Sequence, residues 1–212
     1  MKTAYKVTIP IFTLGIIPIL FFLPLLHLSI SSSLAGSLMG TLGLKEHQSI
    51  YDIVKFGSGM DSTQSALWKS IGSAIFDKEG TIGAKLTNTH HLYFFAAFAV
   101  LMLVLAIAAA VFAIATKKYL VTTCLCAGSL ISAFAMNKSF DAFAKPLLSG
   151  EISISSFLSD SGSGSNNVLS NLLGSLAKVE ALELSFAYSF AIIFLVAAVV
   201  FSVVMLIYRK NS

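Results

Sequence analysis

The chain has 212 residues, of which 56% are hydrophobic and only 11% are charged, whereas soluble domains average about 25% charged and 45–50% apolar residues. This composition excludes a disordered chain, an acidic solvating tail and an ordinary soluble enzyme. The formal net charge is +4, and its meaning depends on where the charged residues lie along the chain.

Four apolar runs predict transmembrane helices, because a membrane-spanning helix needs about 20 mostly apolar residues. None of the runs contains Asp, Glu, Lys or Arg, and they cover residues 7–30, 92–115, 119–136 and 184–208. The first run has 24 residues, which exceeds the roughly 7–15 apolar residues of a signal peptide. We therefore expect it to be retained as a span.

The basic residues predict the orientation of the spans. They precede the first run, separate the second from the third and follow the fourth: Lys2, Lys6, Lys117, Lys118, Arg209 and Lys210. These three flanks carry no acidic residue, whereas residues 31–91 have no net charge and residues 137–183 have a net charge of −2. Because cytoplasmic flanks are enriched in Lys and Arg, we expect both termini in the cytoplasm and both long segments outside it.

The predicted fold class is an all-α integral membrane protein with four transmembrane helices and helical extracytoplasmic segments. Residues 1–30 form the cytoplasmic N-terminus and first span, residues 92–136 form a hairpin of the second and third spans, and residues 184–212 form the fourth span and cytoplasmic C-terminus. Residues 31–91 and 137–183 are the two extracytoplasmic segments. Structureless loops of that length are uncommon, so helices are expected within them.

Periodic residues suggest where those helices lie. Gly36 and Gly40 alternate with leucines that recur every fourth residue, so the first span is expected to continue as a helix to about residue 43. Ile50, Ile53 and Val54 have helical spacing, and Trp68 lies beside a later apolar stripe. Leu169, Leu172 and Leu176 share one helical face, which predicts a helix running unbroken from about residue 167 to residue 208. These outer helices are expected to form a cap.

The chain contains no recognisable catalytic motif, such as Gly-x-Ser-x-Gly, His-Glu-x-x-His or a phosphate-binding loop. This predicts a non-enzymatic protein without cofactor or metal. The alternative comes from the four histidines, since His27, His47, His90 and His91 are all expected near the outer side and could hold a metal. The adjacent His90 and His91 are expected to point apart. An interfacial, hydrogen-bonded His27 is the preferred interpretation.

Three features describe how the spans should pack. Pro10, Pro18 and Pro24 are expected to kink the first span, and alanine-rich faces allow close helix approach. The only two cysteines, Cys124 and Cys126, are expected to be packed thiols, because a Cys-x-Cys pair on a helix diverges too far for a disulfide.

This topology is similar in outline to the tetraspan class that includes claudins, tetraspanins and connexins. Those families carry cysteines in their outer loops, and this chain has none there. The similarity is therefore one of topology, and it implies no residue role or activity.

We expect an assembly, scaffold or accessory subunit of a membrane complex that acts through its outer helical cap. A homo-oligomeric pore with the kinked first span near its lumen is the alternative, and an enzyme using outer histidines and carboxylates is a third. The expected partners are the lipid bilayer and either identical copies or another membrane subunit, but no nucleic acid. The composition favours a bacterial plasma membrane. The candidate partner or pore surface comprises Pro18, Pro24, His27, Gly36, Gly40, Trp68, Leu169, Leu172 and Leu176.

Overall fold

The computed structural model describes residues 2–31, 46–59, 90–116, 118–149 and 178–210. These residues are mostly helical, as expected. The helices are α1 (Lys2–Leu14), α2 (Ile16–Phe22), α3 (Ile50–Gly59), α4 (His90–Ala115), α5 (Tyr119–Leu148) and α6 (Phe186–Lys210). Three strands complete the described elements: β1 (Leu26–Ser31), β2 (His47–Gln48) and β3 (Lys178–Leu184).

Four helical stretches are long and apolar enough to cross a membrane, which confirms the predicted number of spans. They are Ala4–Phe22, His90–Ala115, Tyr119–Leu148 and Phe186–Tyr208. The chain also divides into two compact units. The helical unit comprises Met1–Leu25, Phe94–Lys138 and Leu184–Ser212, and the sheet unit comprises Leu26–Tyr93 and Ser139–Glu183.

The first span divides into α1 and α2 at Gly15, although Gly15 itself keeps helical backbone angles, with φ −60° and ψ −20°. Pro18 explains the position of the division, because a proline cannot donate a hydrogen bond to the carbonyl four residues earlier and its ring crowds that carbonyl. The residue four positions before Pro18 is Leu14, where α1 ends. Pro18 therefore removes one backbone hydrogen bond from the span, and the expected kink stays a prediction.

The same span ends at Phe22 instead of continuing to residue 30 and beyond as a helix. Leu23 has extended backbone angles, with φ −83° and ψ 154°, as expected for a residue that precedes a proline. Pro24 thus terminates the span, and β1 begins two residues later at Leu26. The predicted helical extension to residue 43 is wrong over residues 26–31, and its remainder lies outside the described residues.

A three-stranded sheet corrects the all-α expectation. The strand order is β2-β1-β3, with β1 in the centre. In β1, Leu26, Leu28 and Ile30 alternate with more polar residues, which is the period-2 pattern of a strand. Because these residues also continue the uncharged run of the first span, the apolar run alone predicts them as part of that span.

The fourth span does not extend upstream as one long helix. Residues 178–184 form β3, and α6 begins at Phe186, so the predicted helix over residues 167–208 is wrong in this part. Pairing with β1 satisfies the backbone of β3, and such tertiary pairing commonly overrides a local helical pattern. The backbone N–H groups of Ser185 and Ala187 donate to the carbonyls of Leu25 and Pro24, at N···O distances of 2.8 and 2.9 Å.

The third span is longer than predicted, since α5 has 30 residues and continues to Leu148 rather than ending at Met136. Its length is about 45 Å at 1.5 Å per residue. Lys138, Asp141 and Lys145 lie in the additional part, so charge ended the apolar run without ending the helix.

The core of the helical unit draws side chains from all four spans. Its fully buried members are Tyr5, Ile9, Ala109, Ala113, Tyr119, Cys126 and Ala198. Three of these are alanines, which let the helix axes approach closely. Cys126 is buried and Cys124 is exposed, and both are free thiols, so only Cys126 matches the expected packed thiol.

Candidate functional site

Three residues of the predicted partner or pore surface lie in the described parts of the chain. Pro18 is exposed on α2, Pro24 is half-buried at the end of the first span, and His27 lies on β1. Of these three, His27 is the one that contacts other ionisable side chains. The remaining predicted positions lie outside the described residues: Gly36, Gly40, Trp68, Leu169, Leu172 and Leu176.

The pairing of β1 with β2 places two histidines directly opposite each other. His27 is the antiparallel register partner of His47, and Leu26 is the partner of Gln48. The Leu28 N–H donates to the Glu46 carbonyl at 2.9 Å, which fixes this register beside the histidine pair. The imidazole rings are stacked, with centroids 4.7 Å apart and planes inclined by 21°.

Two carboxylates flank His27, and each contacts a different ring nitrogen. Nε2 lies 3.5 Å from the Glu46 Oε1, and Nδ1 lies 3.3 Å from the Glu183 Oε1. The His27 side chain is 22% exposed, whereas both glutamates are 67% exposed. Because Glu46 directly precedes β2 and Glu183 belongs to β3, one imidazole connects all three strands of the sheet.

The side chains of this group can share a metal cation. The ligand atoms of His27, Glu46 and His47 all lie within 4.8 Å of one another. A neutral imidazole donates from one nitrogen and accepts at the other, so His27 can donate to one of its two glutamates and offer its other nitrogen to a metal.

The predicted histidine group is only partly assembled. His27 and His47 lie together with Glu46, whereas among the described residues His90 and His91 do not belong to this potential metal-binding group. The rings of His90 and His91 are 4.1 Å apart between centroids and inclined by 40°, so the expectation that they point apart is wrong. Both residues belong to the first turn of α4, where no preceding helical turn restricts their side chains.

Sequence reasoning missed Glu46 and Glu183, which complete the surroundings of His27. The residue alternation of β1 was the available signal, since a strand at residues 26–31 requires neighbouring strands. The choice of those neighbours depends on pairing between residues up to 156 positions apart, and no local pattern encodes that pairing.

The interior of the helical unit offers no comparable site. Buried Ser and Thr hydroxyls of its spans donate to backbone carbonyls, as Thr13 does to Ile9 and Ser202 to Val199, whereas the buried Tyr5 hydroxyl does not. Ser129 donates across the α4–α5 hairpin to Met102 at 2.9 Å. No Asp, Glu, Lys, Arg or His is buried among the residues that the structure describes.

Comparisons with protein-family models, with curated proteins and with solved structures find no significant match to this chain.

Proposed function

We propose that this chain is a non-enzymatic four-span membrane protein that serves as an assembly or accessory subunit of a membrane complex. Both termini then lie in the cytoplasm, as the positive flanks of the spans favour, and the composition favours a bacterial plasma membrane. The sheet unit then stands on the outer side of the plasma membrane, where it can contact partner subunits.

The observation that carries this proposal is the closed, almost uncharged interior of the helical unit. Coupled carriers and proton pumps place ionisable side chains at membrane depth, and none is buried in the described spans. The largest buried side chains of the spans are apolar or hydroxyl-bearing, among them Ile16, Met102 and Leu195, and the thiol of Cys126 is buried with them. A helix bundle filled in this way is best suited to act through its outer surfaces, because no acidic, basic or histidine side chain is buried in its described part.

The outward faces of the spans are available to lipid and to neighbouring subunits. At most 39% of any span's most apolar stretch is buried within the chain. Large apolar side chains therefore cover the outside of every span, including Val7 on the first, Val100 on the second, Ile131 on the third and Ile193 on the fourth. In lipid such faces associate by close packing and not by a hydrophobic driving force.

The mass of the protein in its native membrane tests this proposal. The full chain should be extracted in a mild detergent and its assembly mass compared with the 22.6 kDa of one chain. We expect a larger complex containing a second membrane protein at fixed stoichiometry. A monomer that co-purifies with no other subunit would contradict the proposal.

A homo-oligomeric pore is the second candidate, favoured by the division of the first span at Gly15 and by the exposure of Pro18 beyond it. With the kink that the sequence predicts, this span could line a lumen between identical neighbours. This candidate predicts a closed ring of identical chains and ion conductance after reconstitution. A hetero-complex that conducts no ions in the same bilayer would exclude it.

A further inference from the structure

We propose that His27, His47 and Glu46 bind one divalent transition-metal ion of the Zn²⁺ class, with Glu183 accepting the hydrogen bond that orients His27. The site lies wholly in the sheet unit, and it goes beyond the assembly function proposed above.

The spacing of the ligand atoms fits a tetrahedral metal. Bonds of about 2.0–2.1 Å to nitrogen and oxygen place two ligand atoms of a tetrahedral zinc site about 3.3 Å apart. His27 Nε2 and Glu46 Oε1 are separated by 3.5 Å, so both reach one ion with almost no movement. All three ligand atoms lie within 4.8 Å of one another, which side-chain rotation of the exposed His47 can close to the metal-bound spacing.

The second nitrogen of His27 has the partner that metal-binding histidines commonly have. A histidine ligand usually donates its other ring N–H to a carboxylate or carbonyl, which fixes the tautomer and the ring orientation. The Nδ1 of His27 lies 3.3 Å from Glu183 Oε1. In the tautomer with the proton on Nδ1, Nε2 presents its lone pair toward the Glu46 carboxylate. A metal ion between these two acceptors would be bound by both of them.

The strand pairing prepares the two histidines for a common ion. His27 and His47 are directly opposite each other in antiparallel register, and their rings are already stacked side by side. Because the strand pairing already holds the two histidines close together, metal binding has to restrict their conformations less and loses less conformational entropy. Three protein ligands leave a fourth position for water or for a donor from another subunit.

The donor set also defines the class of metal. Two imidazoles and one carboxylate suit Zn²⁺, Ni²⁺ and Cu²⁺, whereas Mg²⁺ and Ca²⁺ prefer oxygen ligands alone. The group contains no cysteine thiol. We therefore expect Zn²⁺ to bind and Mg²⁺ not to compete at similar concentrations.

Metal titration of the full-length chain in detergent tests the site. The protein is purified with an affinity tag that lacks histidine, stripped with a chelator, and titrated with Zn²⁺ by calorimetry and with Co²⁺ by visible absorption. We expect one Zn²⁺ per chain and the d–d absorption of four-coordinate Co²⁺. Glu183→Gln should weaken Zn²⁺ binding about 10–100-fold, as loss of a ligand-orienting carboxylate usually does, and His27→Gln or His47→Gln should weaken it further.

Matched controls separate this site from incidental binding. His91→Gln removes a histidine outside the group, and Glu180→Gln removes an exposed glutamate of the same strand as Glu183; neither should change the affinity. Circular dichroism of each metal-free variant checks folding. If a ligand variant does not fold, the Co²⁺ spectrum of the unaltered protein decides the matter.

Two results would overturn the proposal. Absence of stoichiometric Zn²⁺ and Co²⁺ binding to the unaltered chain would show that the group of His27, His47 and Glu46 holds no metal. Unchanged Zn²⁺ affinity in a folded His27→Gln/His47→Gln double variant would place any bound metal elsewhere.

Discussion

In the helical unit, the hydroxyl of Thr13 donates to the Ile9 carbonyl four residues earlier, whereas in the sheet unit His27 contacts Glu183, which is 156 positions away in the chain. The spans satisfy their polar groups mostly within one helix, as the absence of water from a bilayer core requires. The sheet satisfies its polar groups between strands. The helical unit therefore depends on apolar packing, and the sheet unit depends on chain segments that meet only after folding.

The two units therefore present different kinds of side chains for contact with other molecules. The described interior of the helical unit is closed by small side chains such as Ala106, Ala110 and Ala191, each at most 1% exposed. In the sheet unit, His27, Glu46 and Glu183 are partly exposed, and His27 contacts both glutamates. Partner contacts within the membrane would consequently be apolar, and ligand or metal contacts would occur at the sheet.

The substitution with the largest expected effect on stability lies on the buried face of α6 and tests whether that face stabilises the helical unit. Leu195 is fully buried and Ile193, two residues earlier on the same helix, is 59% exposed. Leu195→Ala should lower the free energy of unfolding by about 2–5 kcal/mol, because it leaves a cavity in the bundle. Ile193→Ala should change it by no more than about 1 kcal/mol. Titration with a denaturing detergent, followed by circular dichroism, measures both variants.

Equal losses for these two variants would mean that burial within one chain does not stabilise α6. The exposed face would then have to be packed in the purified protein as tightly as the buried one. That outcome would favour a stable oligomer. The helical unit would then depend on contacts between chains as well as on apolar packing within one chain.

The spans were predictable and the sheet was not, for a physical reason. A lipid-facing helix must be apolar over its whole length, so each span can be recognised from about 20 consecutive residues of the sequence. The apolar run nevertheless predicts only the apolar part of a helix and not where the helix ends. Helix α5 continues past its apolar run because Lys138 and Asp141 are compatible with a helix outside the membrane. For the candidate site, the sequence indicates His27 and His47 as possible metal ligands. It does not indicate Glu46 and Glu183, because strand order and register bring these two residues to His27.

A smaller effect compares a glycine from each unit. A methyl group at Gly15 would lie 2.5 Å from the Ile11 carbonyl oxygen and 3.0 Å from the ring of Phe194, whereas at Gly59 it would meet nothing within 4 Å. Gly15→Ala should therefore cost about 1–3 kcal/mol in the free energy of unfolding, as overpacking usually does. Gly59→Ala in α3 should stay within about 0.5 kcal/mol.

The same detergent titration compares these glycine variants. If Gly15→Ala proved neutral, the junction between α1 and α2 would be adjustable, and the close contact of both helices with α6 would not fix it. A flexible junction would strengthen the pore candidate, since a lumen-lining helix must be able to move.

The smallest effect concerns the hydrogen bond that joins two spans. Ser129 donates to the Met102 carbonyl on the neighbouring helix at 2.9 Å, and Ser132 donates at the same distance to Gly128 of its own helix. Interhelical hydrogen bonds in membrane proteins contribute about 0.6 kcal/mol on average and up to about 2 kcal/mol. Ser129→Ala should therefore destabilise the protein by about this amount and more than Ser132→Ala does. A larger loss for Ser132→Ala would show that the hydrogen bond within one helix contributes more to stability than the hydrogen bond between two spans. The polar contacts of the helical unit would then stabilise single helices, and the packing of its spans would depend on apolar contacts alone.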